Sequence, residues 1–114
     1  MDAMKKIVAI LLGASALISA GMASAQDNAA AAGQANLLGC MFCHNAKVKQ
    51  VGPAFEAVAD KYKDQADAAA VLSQKIKNGG AGVWGRVPMP AHNQVPDEQI
   101  KTLVTWVLKG APPR

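Results

Sequence analysis

Aromatic side chains are scarce in this sequence: two Phe, two Trp and one Tyr among 114 residues, or 4%. That length holds one small domain and excludes a large enzyme core. Cysteine occurs only twice, which excludes a scaffold stapled by several disulfides. Charge of one sign is also lacking. Eight acidic residues are interspersed among twelve basic ones, for a formal net charge of +4, and this argues against a strongly basic nucleic-acid binder. Clean alternation of apolar and polar residues around β-branched side chains is missing, and with it the signature of strands. The hydrophobic fraction is 51%, but much of it is alanine.

Long apolar runs occur only at the start. Lys5 and Lys6 precede an apolar stretch from Ile7 to Ile18, and Ala23-Ser24-Ala25 forms a small-x-small cleavage site. This pattern predicts a secretory signal peptide over 1–25. The stretch is shorter than the roughly 20 residues that a membrane span requires, so no stable insertion is expected after cleavage. Met4, directly before the lysines, is a second candidate start. Export from a bacterial cytoplasm places the mature chain, 26–114, in the oxidising periplasm. Without Lys5, Lys6 and Asp2 its net charge is +3.

Within 26–114 the helix signals recur. Asn28–Leu38 is alanine-rich, with Asp27 as a cap. Ala54–Tyr62 follows a proline and places Phe55, Val58, Ala59 and Tyr62 on one face. Asp67–Lys77 starts with a capping acid, carries Val71, Leu72 and Ile76 at helical spacing, and stops at Asn78-Gly79-Gly80. Asp97–Lys109 has the fullest amphipathic pattern, in Ile100, Leu103, Val104, Val107 and Leu108, with acids in its first turn and Lys109 in its last. Between the last two lies 79–94, rich in Gly and Pro, a loop long enough to carry function. The expectation is an all-α domain of about four short helices and one large apolar loop. A domain this small usually needs a staple, such as a metal, a disulfide or a cofactor.

Cys40-Met41-Phe42-Cys43-His44 reads as a c-type haem attachment motif. Two thiols three residues apart on one helical turn reach two vinyl groups on one porphyrin edge and become thioethers. His44 then lies where its imidazole can bind iron. Covalent attachment would consume both thiols, which suits the compartment. Three competing readings are a Cys40–Cys43 disulfide, a thioredoxin-like redox pair without its βαβ context, and a zinc site of Cys40, Cys43, His44 and His92. A second axial ligand is sought by elimination. Only Met41 and Met89 remain after signal removal, and Met41 lies between the cysteines. Met89, flanked by Pro88 and Pro90, is the candidate metal ligand with His44; His92 and a lysine are its rivals. An apolar wall is expected from Phe42, Val51, Phe55, Leu72, Ile76, Val83, Trp84, Val87, Leu103 and Val107.

Read together, Leu38–His44, Val51-Gly52-Pro53-Ala54-Phe55, Lys75–Gly79, Gly82–Pro90 and Thr105–Leu108 resemble the small bacterial class I c-type cytochromes of the cytochrome c-551 type. The resemblance implies the class I cytochrome c fold around one haem c, covalently bound through Cys40 and Cys43, and outer-sphere transfer of single electrons without enzyme activity. It implies that the Pro53 carbonyl holds His44, that Trp84 faces a haem propionate, and that Lys75 lies near one. It also implies redox partners: an upstream quinol-oxidising complex and a terminal oxidase or nitrite reductase. A monomer is expected. Relatives often carry Asn three residues after the ligand methionine; here that place holds His92, with Asn93 next, and either could touch the sulfur. Lys47 and Lys49 could rim the haem edge and steer an acidic partner. The alternative function is a haem-based ligand sensor or peroxidase-like protein with a labile sixth position.

Overall fold

The computed structural model describes residues 25–113. The predicted signal peptide, Ala25 excepted, lies outside the described residues. Helix α1 covers 25–37, followed by a single 3-10 turn at Cys40–Phe42. Three helices follow: α2 at Phe55–Tyr62, α3 at Ala68–Asn78 and α4 at Asp97–Leu108. Among the described residues there is no strand, only one isolated antiparallel bridge between Gly80 and Met89. The predicted helices are all present, with ends displaced by at most three residues.

Helix α4 is the centre of the packing and contacts both α2 and α3. Its buried face is Ile100, Leu103, Val104, Trp106 and Val107. Ile100 and Val104 are the most enclosed large side chains, each worth about 1.5–3 kcal/mol relative to exposure. Phe55, Val58 and Tyr62 of α2 and Ala68 and Leu72 of α3 join the same core. Ala31 and Ala35, four residues apart on α1, together with Val95 and Ala111, complete it.

Two expected caps are not used as caps. Asp27 lies inside α1, because the helix already runs at residue 25. Asp67 occupies the position before α3, but its carboxylate accepts from Gln65 Nε2 at 2.8 Å instead of from the helix. Helix α2 has no side-chain cap either, since Ala54 precedes it. The N–H groups of Phe55 and Glu56 donate instead to the carbonyls of Asn45 and Ala46, both at 2.9 Å. Those donors lack an intrahelical partner, so the bonds satisfy them and pin the 45–46 segment to the start of α2.

Trp106 was not among the apolar positions expected for α4, yet it is buried, and its Nε1–H donates to the Pro112 carbonyl at 2.7 Å. That bond draws the chain end back over the core. The long 79–96 connection carries no helix and is closed at its neck by the Gly80–Met89 pair.

Candidate functional site

The 3-10 turn aims the motif. Three residues per turn make positions i and i+3 eclipse. Cys40 and Cys43 accordingly border one cavity, of about 400 Å³. Met41 turns toward the core, and Phe42 is 86% exposed and does not border the cavity. The expected wall is therefore corrected at Phe42; its other nine members all line the cavity. The two thiols are free, and burial pushes that of Cys40 above its ordinary pKa, offset in part by a backbone hydrogen bond. Among the described residues no three His, Cys, Asp or Glu side chains converge to hold a metal, so the four-residue zinc set is not assembled.

His44 is fixed from several directions. Its Nδ1 lies 2.7 Å from the Pro53 carbonyl oxygen. A carbonyl only accepts, so Nδ1 is the donor, which in the neutral imidazole leaves the Nε2 lone pair free. The imidazole stacks on Phe55, with centroids 4.8 Å apart and planes 18° from parallel. Phe55 in turn meets Trp106 edge to face at 5.5 Å. Gly52 permits this seating, because a Cβ there would come within 2.6 Å of His44 Cε1.

Met89 reaches the cavity from the long loop. Its N–H donates to Gly80 O at 2.8 Å and its carbonyl accepts from Gly80 N–H at 3.0 Å. Gly79, at φ 68°, stops α3 and passes so close that a Cβ would lie 2.4 Å from Met89 O. Only a residue without a side chain meets both demands. Pro53, Trp84 and Lys75 border the same cavity, together with Cys40, Cys43, His44 and Met89. Of the two neighbours proposed for the sulfur, His92 borders the cavity and Asn93 does not. The His92 N–H donates to Ile76 O at 2.9 Å.

The lining also holds groups that sequence reasoning missed: Tyr62, Val95, Val104, Trp106 and Arg86. The first four follow from helix or loop packing and left no motif. Arg86 is visible in the sequence only as an isolated charge. Lys49, Lys75 and Arg86 are the charged side chains at the cavity, and no carboxylate is among the described residues lining it. Lys47 is exposed and does not border it. The Lys61 ammonium lies 5.8 Å from the Trp84 ring centroid and ties α2 to the loop.

The residues present fit a haem c. An apolar rim stands without protein cover, with Val51 58% and Val87 65% exposed although both line the cavity. A flat apolar ligand would bury that rim. Two free thiols, one available imidazole nitrogen, one thioether sulfur and three cations suit a porphyrin with two vinyl groups, an iron and two carboxylates.

Comparison with known proteins agrees. The profile of the family described as "Cytochrome c" matches residues 29–111. A cytochrome c-552 from Hydrogenobacter thermophilus is 54% identical over 70 residues, 61% of this chain and 70% of that protein. A cytochrome c-552 from Nitrosomonas europaea is 44% identical over 95 residues, 83% of this chain and 87% of its own. The crystal structure of wild-type Nitrosomonas europaea cytochrome c552 superposes with a TM-score of 0.67, at 44% identity, over 69% of this chain and 98% of that one.

Proposed function

This chain belongs to the cytochrome c family, with the all-α class I fold, covalently bound haem c and its iron as cofactor, and electron transfer as its function; on that premise we propose that it is a periplasmic monohaem carrier of single electrons with His44 and Met89 as axial ligands. The observation that carries this reading is the orientation of His44. With Nδ1 donating to Pro53, Nε2 is left free in a cavity that Cys40, Cys43 and Met89 also border.

When bound, the haem supplies an iron that gains and loses one electron. The chain does the rest. Cys40 and Cys43 would hold the haem by adding S–H across its two vinyl groups, the sulfur bonding one carbon and the hydrogen going to the other as the double bond becomes single. The Pro53 carbonyl fixes the tautomer of His44 and raises its donor strength. The Gly80–Met89 pair and the flanking prolines hold the sulfur with little left to order. The apolar wall excludes water and disfavours the extra charge of the oxidised state, which raises the potential. Lys49, Lys75 and Arg86 offset the propionate charges, with Trp84 as a further donor. Both axial places filled leave no open position for substrate, so the protein acts as a carrier and not as an enzyme.

The signal peptide over 1–25 supports export, and among the described residues no helix is long and apolar enough to cross a membrane. The partners are redox proteins, an upstream quinol-oxidising complex and a terminal oxidase or nitrite reductase, met by a monomer in brief encounters of small area. Lys47 and Lys49 steer an acidic surface toward the haem edge.

Spectra of the oxidised and reduced mature protein test this. Low-spin c-type bands and a weak sulfur-to-iron band in the oxidised form are expected, and haem should survive acid–acetone extraction. Rapid carbon monoxide binding by the reduced wild type at neutral pH would instead favour the sensor or peroxidase-like alternative. A mature mass equal to the bare peptide would end the proposal.

A further inference from the structure

We propose that Phe55, braced by Trp106, is a positioning residue that fixes the plane of the His44 imidazole. The inference rests on His44 being an axial ligand. The hydrogen bond from Nδ1 to Pro53 O pins one ring atom, yet a single bond of this kind still tolerates tilting of the ring about that atom. Tilting of this kind turns the face of the ring. Phe55 opposes it directly, because its own ring lies nearly parallel, 18° off, at 4.8 Å. A near-parallel partner covers a face and resists tilt, whereas an aliphatic side chain of similar size fills space without defining a plane.

Phe55 cannot yield easily. It is buried, at the first position of α2, where its N–H is bonded to Asn45 O at 2.9 Å. Trp106 meets its ring at 65° and 5.5 Å. Trp106 is itself buried and held by its bond to Pro112 O at 2.7 Å. His44, Phe55, Trp106 and Pro112 thus form a continuous series of contacts, one stacked, one edge to face and one hydrogen-bonded, leading away from the cavity. Gly52 adds a stop, since its α-carbon runs so close to the ring that a Cβ would overlap it. The imidazole is slotted and not merely tethered. Its π-donor plane then stays the same in both oxidation states, which limits the ligand movement that accompanies each electron.

The plane of an axial imidazole is read by the principal g values of the oxidised low-spin protein, independently of electron-transfer activity. In the haem-loaded protein, Phe55→Met is expected to shift and broaden these g values, because methionine fills the volume without a flat face. Phe55→Tyr should retain the wild-type values. Ile100→Val serves as a comparison, since Ile100 is buried in α4 but does not border the cavity. It should lower the Tm and leave the g values in place. If Phe55→Met lowers the Tm in the same manner while keeping the wild-type g values, Phe55 is only a packing residue and the proposal is overturned. The reduced wild type gives a second test that needs no variant. Nuclear Overhauser contacts between the Phe55 ring and the His44 ring protons are expected, and their absence overturns the proposal. A wild type lacking the low-spin His/Met signature altogether would sink the axial assignment, before any variant is compared.

Discussion

The two proposed iron ligands are held by different kinds of structure. His44 follows a 3-10 turn and is fixed by side chains and carbonyls that lean on the helical core: Pro53, Phe55 and, behind Phe55, Trp106. Met89 sits in a connection without helix and is fixed by backbone geometry: a two-bond pair with Gly80, a close pass by Gly79 and a proline on either side. Phe55 and Trp106, behind His44, are buried, and Gly52 and Pro53 beside it are half-buried. Residues around Met89, including Val83, Trp84 and Val87, are exposed in the chain alone. The contrast teaches that one side of the site is preformed by folding, while the other depends on the cofactor to cover it. Local stability follows contact density, so the Met89 side is the one expected to open first.

The strongest way to break this comparison is to remove the preformed ligand. His44→Ala takes away the imidazole and leaves the Pro53 carbonyl and the Phe55 face without their partner. The expected result is near-complete loss of correctly assembled haem protein, measured as haem content per chain by pyridine haemochrome. Met89→Ala should be milder. Haem stays attached through Cys40 and Cys43, but the sulfur-to-iron band vanishes, carbon monoxide binds and the potential falls, because a neutral thioether ligand goes with high-potential sites.

Gly79→Ala separates backbone geometry from ligand chemistry. It adds a Cβ where φ is 68° and where Met89 O would stand 2.4 Å away. The neck must shift, at about 1–3 kcal/mol. The Tm should drop, and the sulfur-to-iron band should weaken at a lower temperature than in wild type. If both sides of the site were held alike, this band and the His44-dependent low-spin signal would fade together on heating.

Trp106→Phe sharpens the other half. It keeps an aromatic ring behind Phe55 but removes the donor to Pro112 O. The cost is about 0.5–1.5 kcal/mol, seen as a lower Tm, with the sulfur-to-iron band unchanged.

The same division decides what could be read from the sequence. Periodicity marks α4 because Ile100, Leu103, Val104 and Val107 share a face, and the Cys40–His44 motif is visible because its spacing is local. Periodicity passes over Trp106, whose burial is tied to a bond with Pro112 beyond the helix end. The capping signals at Asp27 and Asp67 misled for a similar reason. One helix starts before its supposed cap, and the other cap bonds a neighbouring side chain. Phe42, expected in the wall, is exposed, since a 3-10 turn sends adjacent residues in different directions. Gly52 drew notice only as part of a resemblance; its use appears once the His44 ring lies against it. Elimination points to Met89, which the structure brings to the cavity, whereas its pairing with Gly80 joins residues nine apart and leaves no pattern.

The smallest expected effect tests whether the exposed loop has any side-chain anchor of its own. Lys61, on α2, stands 5.8 Å from the Trp84 centroid and equally far from that of Tyr62. It thus bridges the helical half of the site and the loop half by cation–π contact, worth about 0.5–1 kcal/mol at an exposed position. Lys61→Gln removes the charge and keeps a polar chain of similar reach. If the bridge matters, the loop should gain mobility near Trp84, read as faster amide exchange over 82–87, while exchange in α4 stays the same. Raising the salt concentration should mimic the substitution only weakly, since a contact made through a ring face is less exposed to screening than a pair of opposed charges at the surface. Equal exchange rates over 82–87 in both proteins would mean that the loop is held by its glycine and proline backbone alone, and the contrast between the two ligand sides would then be complete.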